Sequence, residues 1–165
     1  MDLARASLLV ACDEYPELEL DPYLQRLDTM AAAVRGRLGD TPEVVVAGLN
    51  RLLFEEEGFR GNTREYYDPR NSFLNDVLDR RTGIPITLAV IYIEVARRAG
   101  VHVEGINFPG HFLVRLPVQR GLRYSKDLII DAHRGGAILS EAACRSLFRE
   151  HVGRDPDEDL FESRM

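Results

Sequence analysis

RTGIPITLAVIYIEVARRAG, residues 81–100, runs directly into VHVEGINFPGHFLVRL, residues 101–116, and this junction decides the fold. In the first piece Leu88, Ile91, Tyr92, Val95, Ala96 and Ala99 recur at helical spacing, and polar side chains are few until Glu94, Arg97 and Arg98 near its end. Basic residues complement the exposed carbonyls of a last helical turn, and glycine commonly follows it, so Arg97, Arg98 and Gly100 mark a C-terminus. The pattern predicts a buried central helix over 85–99. From residue 101 the period changes. VHVEGINF, HFLVRL and DLIIDA are short, β-branched or aromatic, and are separated by PG, by PVQRGLRYSK and by the turn-forming HRGG, as in successive strands of an antiparallel sheet over 101–132.

Outward from this junction the chain reads as helix. In DPYLQRLDTMAAAVRGRLGD, Asp21 is placed to cap a helix, Pro22 suits its first position, and Gly39 ends it. Thr41 and Pro42 open a second helix through Val45, Leu49, Leu52 and Leu53, closing near Gly58. FRGNTREYYDPRNSFL reads as a loop rich in turn formers and aromatics, with a short helix at Phe73, Leu74, Val77 and Leu78 behind it. Beyond the sheet Ser140 caps a last helix over 140–152. A helical half over 1–82, a buried helix, an antiparallel sheet and a closing helix make an α+β layer pattern. Residues 1–152 read as one domain and 153–165 as an acidic tail.

Composition narrows the function classes. Of the 165 residues 45% are apolar, enough for one substantial core, and the formal net charge is -6. Phosphate binding draws on clustered Lys and Arg that release counterions, and the arginines here are scattered, so nucleic acid is not an expected partner. No apolar run reaches the roughly 18 residues of a membrane span, and the acidic N-terminus lacks the basic flank of a signal peptide, so the expected location is cytoplasmic. Cys12 and Cys144 fit no zinc spacing and read as reduced side chains. Neither a metal nor another cofactor is expected, and the oligomeric state is not legible.

FLNDVLDRRTGIPITLAVIYIEVARRAGVHVEGINFPGHFLVRL, residues 73–116, resembles the SirB-type transglutaminase-like proteins, whose core also occurs in an F-box protein of animals. The likeness covers about residues 68 to 135, and its most specific pieces are RTGIPITL and NFPGHFLVR. It implies a papain/transglutaminase-like core in which His111 and Asp131 match the histidine and aspartate of the superfamily's triad. In that superfamily the nucleophilic cysteine opens the central helix, with a small residue one turn on. Counting back from Gly100 reaches Pro85, with Ile84 and Ile86 on either side and Ala89 as the small residue. None of these is a nucleophile. Thr87 is the nearest hydroxyl, but a β-branched residue in a first turn more often bonds backbone than attacks a carbonyl.

The remaining candidates have bland and functional readings side by side. His111 is either a hydrogen-bonded strand histidine or a wall of a pocket. Asp131 either orients His111 or caps the turn at DAHRGG. His133 shares a face with Asp131 if the strand continues, which would allow a His111, Asp131, His133 metal cluster lacking a fourth ligand. Asn71, Asn75, Arg81 and Thr87 are candidate binding residues beside the helix start, where free N–H groups favour a carboxylate; the bland reading has them cap, face solvent or pair. Tyr66 and Tyr67, with Phe59 and Phe73, are either core beneath a long loop or a lip that takes a peptide. The expected function is a catalytically degenerate, regulatory module that binds a protein or peptide. Relatives often continue into helical repeats, and this chain stops before any. The alternative is an amide or peptide hydrolase or transferase that uses His111 and Asp131 with a non-classical nucleophile; a purely structural regulator with a closed cleft is a third reading.

Overall fold

The computed structural model describes residues 2–118 and 126–156; the expected acidic tail beyond 156 and most of the PVQRGLRYSK connection lie outside the described residues. Three helices lead: α1 (Leu3–Ala11), α2 (Leu20–Arg35) and α3 (Pro42–Asn50), the last running on as a π-helical turn over Arg51–Glu56. A two-residue strand β1 (Arg60–Gly61), a 3-10 turn (Pro69–Asn71), α4 (Leu74–Arg80) and β2 (Thr82–Gly83) precede the central helix α5 (Pro85–Arg98). Strands β3 (Glu104–Phe108), β4 (His111–Leu116), β5 (Leu128–Asp131) and β6 (Ala137–Leu139) form one antiparallel sheet in chain order, and α6 (Glu141–Val152) closes the chain.

Helix α5 is apolar nearly all round, the signature of a helix enclosed by protein. Leu88, Ala89, Ile91, Tyr92, Val95 and Ala96 are buried against α2 on one side and β4 on the other. The two faces of the sheet follow the period of two: Val114, Leu116 and Ile130 join the α5 core, and Leu113 and Ile129 point oppositely into a smaller core with Cys144, Leu147 and Phe148 of α6. The sheet is therefore covered on both faces. Glu94, which the sequence places among the polar residues of the helix end, is fully buried instead. Its carboxylate pairs with Arg97 and Arg98 and accepts the Leu3 N–H at 3.3 Å, which satisfies the charge and ties α1 to α5.

Several boundaries differ from expectation. Helix α2 begins at Leu20, and its cap is Glu19, without a side-chain bond, where Asp21 was expected. Leu20 packs on the main core, and Pro22 still lies in the first turn, where a missing donor costs nothing. The helix ends at Gly36, not Gly39. Gly39 serves an approach: a Cβ there would lie 2.5 Å from Cγ1 of Val44. The aromatic loop holds β1, which pairs in parallel with β2 (Arg60 with Thr82, Gly61 with Gly83), and β6 adds a fourth strand (Asp131 with Ala137).

The hydroxyl of Tyr92, fully buried in α5 with its ring stacked near Phe54, has no hydrogen-bond partner among the described residues, and burial pushes its pKa up. An unpaired buried hydroxyl carries its desolvation cost uncompensated. Tyr92→Phe is therefore expected to stabilise the protein by about 1 kcal/mol in urea unfolding, with an unchanged slope. A loss of stability would mean that the hydroxyl is satisfied after all.

Candidate functional site

The site is assembled at the start of α5 by two turns. Pro109 and Gly110 join β3 to β4, with Phe108 paired to His111 and Gly110 at φ +67. Glycine is required here twice over, because a Cβ would meet the ring of His151 on α6 at 2.5 Å. The turn delivers His111 with its side chain only 5% exposed. Asp131, at the end of β5, is completely buried, and its Oδ1 accepts the Nε2–H of His111 at 2.9 Å. The same oxygen accepts the backbone N–H groups of His133 (3.0 Å) and Arg134 (3.2 Å). Orienting His111 and capping the DAHRGG turn are thus one arrangement.

Electrostatics keep Asp131 ionised. Burial pushes the Asp131 carboxyl up, but the His111 hydrogen bond and charge, the Arg134 N–H and the Arg134 guanidinium outweigh it and hold the group below the ordinary carboxylate range. The carboxylate is ionised and only accepts, so it fixes His111 with the proton on Nε2. In the neutral imidazole this leaves the lone pair on Nδ1, which has no partner among the described residues. Burial, and then the neighbouring charge of His111, hold His133 below its ordinary value. The rings of His133 and His151 stand 5.9 and 5.8 Å from that of His111.

These histidines line a cleft of about 480 Å³ together with Pro85, Thr63, Tyr66 and Tyr67. Tyr67 is 92% exposed, and Ile86, the residue after Pro85, is 47% exposed. The residue that presents the α5 N-terminus to His111 is thus Pro85, and no cysteine lines the cleft. Cys144 is buried between sheet and α6, where burial, then Glu141 and Asp131, push its thiol up; the Cys12 thiol donates to the Leu8 carbonyl at the end of α1.

The other sequence candidates lie outside the cleft lining. Thr87 accepts the Ile84 N–H (3.1 Å) and bonds the Asn71 carbonyl (2.9 Å), closing the first turn of α5. Asn71 is fully buried, and its amide donates to the Glu65 and Tyr66 carbonyls, which shapes the loop. Asn75 is buried with its Oδ1 unpartnered among the described residues. Arg81 adopts the left-handed region (φ 57), pairs with Glu57 at 2.8 Å and lies over the Phe59 ring. After Asp131 the chain turns into a 3-10 segment over Ala132–Arg134, which breaks the alternation needed to put Asp131 and His133 on one face. Among the described residues no group of three or more His, Cys, Asp or Glu side chains is placed to hold a metal ion. No helix among them is long and apolar enough to cross a membrane.

His151 was not among the sequence candidates. A signal existed: Cys144, Leu147, Phe148 and His151 follow the i, i+3, i+4, i+7 spacing of one helix face, so the stripe that buries Phe148 carries His151 to the sheet end.

A family model described as transglutaminase-like superfamily matches residues 21–163. A UPF0162 protein of Xylella fastidiosa is 43% identical over 161 residues, covering 96% of this chain and 56% of the relative. A UPF0162 protein of Pseudomonas aeruginosa is 34% identical over 117 residues, 70% of this chain and 43% of the relative. F-box only protein 21 of Mus musculus is 38% identical over 112 residues, 66% of this chain and 18% of that protein. The chain thus spans about half the length of the bacterial relatives. No solved structure matches.

Proposed function

The chain belongs to the transglutaminase-like superfamily, and from the site it carries we propose that it is a catalytically silent, regulatory member whose His111 cleft binds a peptide segment of a protein partner. The observation that carries this reading is Pro85. The position where a thiolate would gain from free N–H groups and a histidine holds a residue with neither a nucleophile nor an N–H. Around it the cleft offers what peptide recognition uses. Tyr66 and Tyr67 in its lining, and Ile86 next to Pro85, present exposed apolar area, and the Nδ1 lone pair of neutral His111, fixed by Asp131, accepts a backbone N–H. A volume of about 480 Å³ suits a few side chains. The likeness to a part of a longer F-box protein accords with a module that works inside larger chains. Two free cysteines accord with a reducing cytoplasm.

Two observations favour an amide hydrolase or transferase with a non-classical nucleophile: the His111–Asp131 pair is intact, and Thr63, a hydroxyl-bearing residue, lines the same cleft. The two readings separate in one experiment. A random dodecapeptide display library is panned on the whole chain, and the selected peptides are measured by fluorescence anisotropy while amide and ester substrates are assayed for turnover. The expected outcome is micromolar binding, weakened about tenfold by Tyr67→Ala, the usual loss for an exposed aromatic anchor, with no turnover. Turnover that disappears in His111→Ala would establish the enzyme instead, and absence of any selected peptide would sink the binding reading.

A further inference from the structure

Beside the His111 cleft lies a second cavity of about 510 Å³, formed by the segment Arg60–Glu65 with Arg80 and Thr82. Its charge runs against that of the chain. Three guanidiniums, those of Arg60, Arg64 and Arg80, share the wall with one carboxylate, Glu65, in a protein of net charge -6. Arg80 is partly engaged, at 3.3 Å from Asp68 and 3.5 Å from Asn71. Among the described residues Arg60 and Arg64 have no ion pair or side-chain hydrogen bond, although acidic residues outnumber basic ones in the chain.

The segment that carries these arginines is built, not loose. Asn62 is buried, accepts the Glu65 N–H at 2.9 Å and donates to Asn71 at 3.1 Å, and β1 is held to β2. Gly61 lies so close to His133 that a Cβ would meet its ring at 2.6 Å. Thr63 lines both cavities. The arginine groove therefore continues the His111 cleft past the His133 wall, and the backbone that carries Arg60 and Arg64 is held in place before any ligand arrives.

We propose that this groove recognises acidic residues flanking the peptide segment held in the His111 cleft, so that the partner is an apolar or aromatic motif next to a cluster of Asp and Glu. The inference rests on the peptide-binding reading for the first half of the ligand and on the unpaired arginines for the second. Arg60 and Arg64 present forked donors that match carboxylates two at a time, while the surrounding negative charge repels acidic chains that lack the apolar anchor.

The test uses fluorescein-labelled peptides with the apolar core from the display selection, extended at either end by Glu-Asp-Glu or by Gly-Ser-Gly. Anisotropy is measured with the whole chain at 50 and 300 mM salt. The expected result is about tenfold tighter binding of one acidic form at low salt, the sum of a few exposed charge-assisted contacts, with most of that advantage lost at high salt. The Arg60→Gln/Arg64→Gln variant should remove the advantage and leave the neutral peptide's affinity unchanged, whereas Tyr67→Ala should weaken both. Both arginines are exposed, and circular dichroism verifies the fold of the variant. Equal binding of acidic and neutral forms overturns this inference and leaves the peptide reading standing; no binding of either overturns the peptide reading. If an oligouridylate displaces the acidic peptide as well as an acidic competitor does, the groove is a general polyanion site and the inference is wrong.

Discussion

Pro85→Cys is expected to create a thiol whose alkylation by iodoacetamide reaches half its plateau near pH 5.5 to 6, about three units below a free thiol. Two effects act together. The first turn of α5 offers free N–H groups to an anion, and His111, whose Nδ1 has no partner among the described residues, lines the same cleft. An imidazole that takes the proton while a thiol gives it up yields the ion pair of thiol hydrolases. At pH 6 the thiolate fraction would rise by a few hundredfold, but a less basic sulfur is also a weaker nucleophile by about twentyfold, so the rate gain is only about tenfold. The inflection is the sharper readout. In a His111→Ala background it should climb by about two units, since the helix terminus alone remains. The site of labelling is located by mass spectrometry; Cys144, buried with its thiol pushed up, should stay unlabelled. An inflection at the ordinary thiol value would mean that Pro85 does not occupy the nucleophile's place.

Asp131→Ala is expected to cost about 3 kcal/mol, a fall of about 10 °C in Tm for a domain of this size. The carboxylate is completely buried, and its removal strands the Nε2–H of His111 and the N–H groups of His133 and Arg134 at once. Asp131→Asn keeps an acceptor but not the charge, and should cost about half as much. The sign of the pH dependence follows from the lowered carboxyl. A depressed folded-state pKa contributes stability above the ordinary carboxylate value, and that contribution is lost as pH falls through the folded one, so wild type and Asp131→Asn should converge in acid. His133 acts nearer neutrality. Its folded value is also depressed, so its contribution is complete above about 6.5 and fades as pH falls through that value toward the lowered one. A Tm for Asp131→Ala within 2 °C of wild type would show that the turn does not depend on the carboxylate.

How much of this was legible in the sequence depended on how local the signals are. Helix α5 announced both its ends, because a proline at the first position and a basic last turn before glycine are short-range chemistry. Strands β3, β4 and β5 announced themselves as short β-branched or aromatic runs set between turn formers. Helix α2 misled because Asp21 and Pro22 imitate a cap, while the burial of Leu20 against a distant core extends the helix past it. Strand β6, three residues with two glycines before it, has no period to read and exists because β5 offers an edge. At the site, His111 and Asp131 came from the resemblance. Asn71 and Thr87 looked like a rim because they are polar and near the helix start, yet their polar groups turn inward to backbone. The basic groove escaped notice because Arg60, Arg64 and Arg80 become neighbours only when β1 pairs with β2.

The single oxygen of Asp131 that serves both a side chain and two backbone amides bears on how such a domain changes over time. A cysteine at the helix start can drift to proline without disturbing the fold, because proline suits that position. The aspartate has less freedom, since its loss would strand three donors in the turn that leads to β6, and a histidine beside a buried carboxylate is retained in turn. A lineage that abandons the chemistry would thus lose its nucleophile first and keep the other two residues indefinitely. A surviving His–Asp pair in this architecture is accordingly a sign of a fold still under selection, and says little about whether a reaction still takes place.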